Sequence, residues 1–147
     1  MESIAVVINA GTGQGHGREQ AEKVVDAFAA LGVAAQVCLA RDAAQVSDAV
    51  QAALDRGARL LVGGGGDGTI NEIASALLRH PRGAEVEYGI LPLGTLNHFA
   101  KDLKIPLKLE EAAAVVVHGR VTQVDVGEVN DRLFLNNSSI GLYPDIV

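Results

Sequence analysis

The ten-residue run Gly63-Gly64-Gly65-Gly66-Asp67-Gly68-Thr69-Ile70-Asn71-Glu72 constrains this chain more than any other segment. It follows an apolar, strand-like stretch, Arg59-Leu60-Leu61-Val62, and enters a helix-like stretch from Ile70 to Leu78. The pattern predicts a strand, a glycine-only turn with one solvated carboxylate in it, and a helix. Glycine lets a backbone approach an anion closely, and the free amides and dipole of a helix N-terminus supply positive potential. Asp67 standing there alone would repel phosphate, so a cation, most plainly Mg²⁺, has to be shared between carboxylate and phosphate oxygens. The loop points to a nucleoside triphosphate with its metal.

Other meanings of the same residues are weaker. Asp-Gly is an ordinary turn pair in an α/β connection. Gly63, Gly65 and Gly68 satisfy G-x-G-x-x-G, but they follow the third strand rather than the first, and Asp67 occupies the place of a pyrophosphate. No G-K-[ST] follows the glycines, which excludes a Walker A loop.

The 147 residues, 48% hydrophobic and 20% charged, suit one domain with a real core. Aromatics are 3% and the net charge is -6, a combination that argues against nucleic acid as a partner. Cys38 is the single cysteine, so no internal disulfide is open to it, and it reads as buried packing. Apolar runs fall well short of the roughly 18 residues a membrane span needs, and nothing resembles a signal peptide. The chain reads as cytosolic.

Ile4 to Ile8 is a continuous apolar run, suited to a strand buried on both faces of a parallel sheet. Ala21, Val24, Val25 and Phe28 carry helical spacing ahead of Gly32, and Val46, Ala49, Val50, Ala53 and Leu54 repeat it ahead of Gly57. Val33 to Leu39 and Leu60 to Val62 read as strands two and three, Ile70 to Leu77 as helix three, and Tyr88 to Leu91 as strand four. A short helix around Asn97 to Leu103 ends before Pro106, and a fifth runs from Glu110 to Gly119. This alternation predicts a doubly wound parallel α/β sheet whose Asn9, Gly63 and Gly94 loops share the carboxyl edge. After residue 120 the pattern turns β-rich, with a hairpin expected from Val121 to Val129 and Leu133 to Asn137. Residues 1–120 therefore read as one domain, and 121–147 as the start of a second that the chain leaves unfinished.

Three segments, Asn9-Ala10-Gly11-Thr12-Gly13, Gly64 to Glu72, and Leu91-Pro92-Leu93-Gly94-Thr95-Leu96-Asn97-His98-Phe99-Ala100-Lys101, together resemble the diacylglycerol kinase catalytic domain. That family includes bacterial soluble lipid kinases and is similar to sphingosine and ceramide kinases. The resemblance implies the nucleotide-binding lobe of a two-lobed, phosphofructokinase- and NAD-kinase-like fold that moves the γ-phosphoryl group of ATP to a lipid hydroxyl. Asn9, Thr12, Gly65, Gly66, Asp67, Gly68, Thr69, Asn71, Glu72, Gly94, Thr95 and Asn97 would surround the nucleotide. Asp67 and Asp125 would hold a water-linked Mg²⁺ network. The general base and lipid groove would lie in the second domain, leaving this chain with no catalytic base and no activity by itself. Transient contact with a membrane surface and a homodimer are further expectations. Ala10, Thr12, Ala40 and His98 depart from the family pattern, and His98 stands where an acid is usual. Two alternatives stand beside this reading. One is an NAD kinase lobe, against which Pro92 to Asn97 speaks, since those enzymes place N-x-G-x-L-G there; the other is a nucleotide-sensing module without catalysis.

Overall fold

The computed structural model describes residues 3–10, 16–124, 126–129 and 132–134, the segments after residue 127 by backbone alone. β1 (Ile4–Asn9), β2 (Ala35–Ala40), β3 (Leu60–Gly65) and β4 (Glu87–Pro92) form one sheet in the order β2-β1-β3-β4, every pair parallel. Helices α1 (His16–Ala29), α2 (Ala43–Asp55), α3 (Asp67–Arg79), α4 (His98–Asp102) and α5 (Leu109–His118) alternate with the strands or follow them. The chain winds outward from β1 in both directions, and the predicted doubly wound α/β class is the observed one.

Period-two alternation along the apolar strands explains how both faces fill. Ile4, Val6 and Ile8 of β1 pack with Val24, Ala27 and Phe28 of α1 and Ala112 and Ala113 of α5. Val7, one step out of phase, joins Val46, Val50 and Leu54 of α2 and Ile73 and Leu77 of α3 on the opposite face. Strand order reverses between β1 and β3, so the carboxyl ends at Asn9 and Gly65 flank the crevice where open α/β sheets bind ligands.

The structure corrects four sequence expectations. Gly63, Gly64 and Gly65 belong to β3 and pair with Ile90, Leu91 and Pro92, so the glycine run is mostly central strand rather than turn. Their missing side chains make room for neighbours: a Cβ on Gly63 would stand 2.7 Å from the Tyr88 hydroxyl and one on Gly64 2.9 Å from Leu93 Cδ1. Cys38 is exposed, on a strand that the sheet order places at an edge. Strand two begins at Ala35, with Val33 buried in the turn before it. In the expected hairpin, β5 (Gly127–Val129) and β6 (Arg132–Phe134) pair antiparallel, while residues 121–124 carry no strand.

Tyr88 ties β4 to α3. Its hydroxyl donates to the Ile70 carbonyl at 2.8 Å, and burial raises the phenol well above its ordinary range. The unfolded chain ionises Tyr88 at about pH 10, whereas the folded protein keeps the proton, so this group's stabilisation is complete below about pH 10 and falls as pH rises beyond it. Tyr88→Phe should lose that part of the alkaline decline, about 1.4 kcal/mol per pH unit. Urea titrations of both proteins across the alkaline range measure it; parallel curves would contradict the burial of the phenol.

Candidate functional site

β3 passes into α3 through a single residue. Gly66 is the N-cap and Asp67 the first helical residue, one turn earlier than the apolar periodicity predicts. The first bond of the helix runs from the Ile70 amide to the Gly66 carbonyl at 3.0 Å, so the amides of Asp67, Gly68 and Thr69 belong to the turn that a helix leaves without internal acceptors. At α2 the chain answers this need with side chains: Asp42 accepts from the Gln45 amide at 2.8 Å, and Gln45 Oε1 accepts from the Arg41 amide at 2.8 Å. Among the described residues α3 has no side-chain cap. Gly68 is exposed, and a Cβ built on it meets nothing within 4 Å. The turn thus keeps its donors and its positive dipole end open to an anion.

Beside it stands the loop after β4. The Leu93 amide donates to the Gly65 carbonyl at 3.1 Å, extending the ladder one step past the strand. Gly94 to Asn97 then fold into a turn closed by the Asn97 side chain, whose Oδ1 accepts from the Gly94 amide at 3.0 Å and whose Nδ2 donates to the Gly94 carbonyl at 2.9 Å. Asn97 lies in the left-handed region, φ 52°, where asparagine is among the best tolerated residues, and it is 7% exposed. A Cβ on Gly94 would stand 2.3 Å from Gly66 Cα and 2.9 Å from Gly66 N. Backbone therefore touches backbone, and only glycine fits.

Asp67 joins the two loops. Its Oδ2 accepts from the His98 amide and its Oδ1 from the Phe99 amide, both at 2.9 Å. α4 is thus capped by a carboxylate 31 positions earlier in the chain. The expectation of a solvated loop carboxylate is corrected: Asp67 is half-buried and holds α4 against α3. A carboxylate offers about four acceptor sites. Two of them take these amides.

The other predicted positions distribute around this junction. Asn9 ends β1, half-buried, on the strand beside β3. Thr69 packs its side chain over Gly65, where a Cβ would lie 2.8 Å from Thr69 Cβ. Asn71 and Glu72 are half-buried one turn down α3, on the faces below Asp67 and Gly68, and the Asn71 carbonyl accepts from Ser75 Oγ at 3.1 Å. Gly94 and Thr95 are exposed beside the open turn. Thr12 and Asp125 lie outside the described residues. Among the described residues no three carboxylate, imidazole or thiol groups converge on a metal position. Sequence reasoning missed the His98 and Phe99 amides as partners of Asp67; nothing local to either segment signals a contact across that separation.

The sheet, the open helix turn and the Asn97-closed loop define an α/β protein whose exposed helix N-terminus presents backbone donors rather than a basic side chain. Residues 3–129 match the diacylglycerol kinase catalytic domain, and the chain belongs to that family of lipid kinases. Among curated relatives, a protein of Serratia proteamaculans (strain 568) named "Probable lipid kinase YegS-like" is 37% identical over 129 residues, 88% of this chain and 42% of the relative. One of the same name from Yersinia enterocolitica is 46% identical over 81 residues, 55% of this chain and 27% of the relative. A crystal structure of a diacylglycerol kinase from Bacillus anthracis str. Sterne superposes with a TM-score of 0.75 at 27% identity, covering 92% of this chain and 48% of that one. The chain spans under half the length of these proteins.

The Gly66–Gly94 contact gives a direct test. Gly94→Ala should destabilise by about 1–3 kcal/mol because the added methyl forces the two backbones apart. Gly68→Ala, in open space on a helix, should be neutral or stabilise by about 0.5–1 kcal/mol. Urea unfolding of the pair measures both, and equal midpoints would show that the loops do not touch.

Proposed function

We propose that this chain is the nucleotide-binding lobe of a lipid kinase that takes ATP with Mg²⁺ and passes the γ-phosphoryl group to a lipid hydroxyl, diacylglycerol-like or related. The observation that carries this reading is the open first turn of α3 against the exposed Gly94–Thr95 backbone. Amides of residues 67–69 would hold phosphate oxygens, with Thr69, Thr95 and the Gly94 loop at their sides. Asn9 and Thr12 would border the nucleotide, while Asn71 and Glu72 would close the second turn of α3. Asn97 would act mainly by shaping the loop, since both ends of its amide are engaged.

Mg²⁺, when bound, would neutralise charge on the transferring phosphoryl group and orient it. It suits the donors present: magnesium keeps several waters and uses one or two carboxylates with substrate phosphates. Asp67 offers one such carboxylate, and Asp125 would be the second. Residues 1–120 would form this lobe, and the remainder of a longer protein would bring the acceptor's base and lipid groove. Membership of the diacylglycerol kinase catalytic domain family supports this reading over an NAD kinase lobe.

Mg²⁺ and ATP together should raise the melting temperature more than either alone, because uncomplexed phosphate meets the Asp67 charge. At a hundredfold excess over Kd the linkage is worth about 2.7 kcal/mol. Differential scanning fluorimetry with ATP, with MgCl₂ and with both reads it. Equal shifts from ATP with and without magnesium would remove the metal from the account, and no shift at all would remove the nucleotide.

A further inference from the structure

We propose that the end of α4 and its connection to α5, residues 101–108, form the face with which this chain meets an anionic lipid surface. The proposal rests on the lipid-kinase reading only for the meaning of the contact; the surface itself is argued from its residues. Inside, Ile105 packs into the core with Leu93 and Leu109. Outside, Leu103 is 38% and Leu107 50% exposed, interleaved with exposed Lys101, Lys104 and Lys108. Exposed leucines alone would suit any apolar partner. Lysines set between them select a surface that is anionic at its face and apolar beneath it, with the alkyl stems lying along the boundary.

Charge supports the same partner. The whole chain carries -6, yet this stretch holds three lysines against one acid, Asp102. Glu110 and Glu111 follow in the first turn of α5, where the helix N-terminus offsets part of their charge.

Backbone geometry fixes how the lysines are presented. The Ile105 amide bonds the Ala100 carbonyl at 2.8 Å and the Lys104 amide the Lys101 carbonyl at 3.0 Å, the paired bonds of a Schellman ending. The residue such an ending places in the left-handed region is usually glycine; here it is Lys104, at φ 60°. Nothing in the core requires a lysine there, because the residue is exposed. At the other end of five-residue α4, about 7.5 Å away at 1.5 Å per residue, stands Leu96, 57% exposed in the loop beside the open turn of α3. The apolar and basic face therefore begins next to the candidate phosphate site, which is where a lipid hydroxyl would have to arrive.

The test is sedimentation of the 147-residue chain with large unilamellar vesicles, either equimolar phosphatidylglycerol and phosphatidylcholine or phosphatidylcholine alone, at low and high salt. Binding to the mixed vesicles at low salt is expected, with loss on pure phosphatidylcholine and at high salt. A lysine near an anionic surface is worth about fivefold in affinity, so Lys101→Gln/Lys104→Gln/Lys108→Gln should weaken binding roughly a hundredfold. Arg56→Gln/Arg59→Gln/Arg79→Gln, the same charge change at exposed positions elsewhere, should have little effect. The chain has no tryptophan, so Leu107→Trp reports insertion as a blue shift of its emission on mixed vesicles only. No binding, equal losses in the two triple variants, or an unshifted emission would each overturn the proposal. Thermal shifts with Mg²⁺ and ATP on the same samples keep the readings apart. A normal nucleotide shift without vesicle binding removes the docking face alone, and vesicle binding without a nucleotide shift removes the kinase reading alone.

Discussion

Two hydrogen bonds that the His98 and Phe99 amides donate to the Asp67 carboxylate hold together what would otherwise be two independent loops. α4 is only five residues long, too short to form on propensity alone, and its first amides have no acceptor within the helix. Supplying those acceptors from α3 sets where α4 starts. It thereby sets the path of residues 94–97, which Asn97 closes and Gly94 lays against Gly66. The backbone donors of the site and the loop facing them thus share one anchor. Hydrogen bonds to a charged acceptor contribute about 1.5–3 kcal/mol each, enough to order a short loop.

This anchor gives Asp67 a role that its position in a phosphate loop does not suggest. A carboxylate beside an anion site costs affinity unless something offsets its charge. In the free protein the amides of α4 do so in part, and the lone pairs they leave unused remain for a hydrated cation. The same residue shapes the site in the free protein and, under the proposed function, would hold metal once nucleotide is bound. Under the proposed function, an acidic chain would bind its anion through oriented backbone.

Much of this was legible in the sequence where local signals were strong. Apolar runs at Ile4–Ile8 and helical spacing at Ala21–Phe28 and Val46–Leu54 are repeated, period-matched patterns, and they specify the parallel sheet and its two helical layers. The glycine run was legible as special but not as strand, because glycine's local preference is for turns and its membership of β3 is imposed by β1 and β4 on either side. Cys38 was misplaced for a related reason: whether a strand is central or at an edge is decided by topology, which composition does not carry. In the candidate site, Asn97's side chain reads as a ligand contact from sequence, and the structure spends it on the loop. The link from Asp67 to α4 was invisible, since the amides it meets exist as free donors only once α4 has formed.

Amide hydrogen exchange, followed residue by residue, reads whether Asp67 anchors α4. His98 and Phe99 open α4 and have no helical acceptor, so any protection they show must come from Asp67. Both amides should exchange slowly in the native chain and lose that protection selectively in Asp67→Ala, while amides inside α3 such as Ala74 keep theirs. Fast exchange at His98 and Phe99 in the native chain, or protection that survives the loss of the carboxylate, would contradict it.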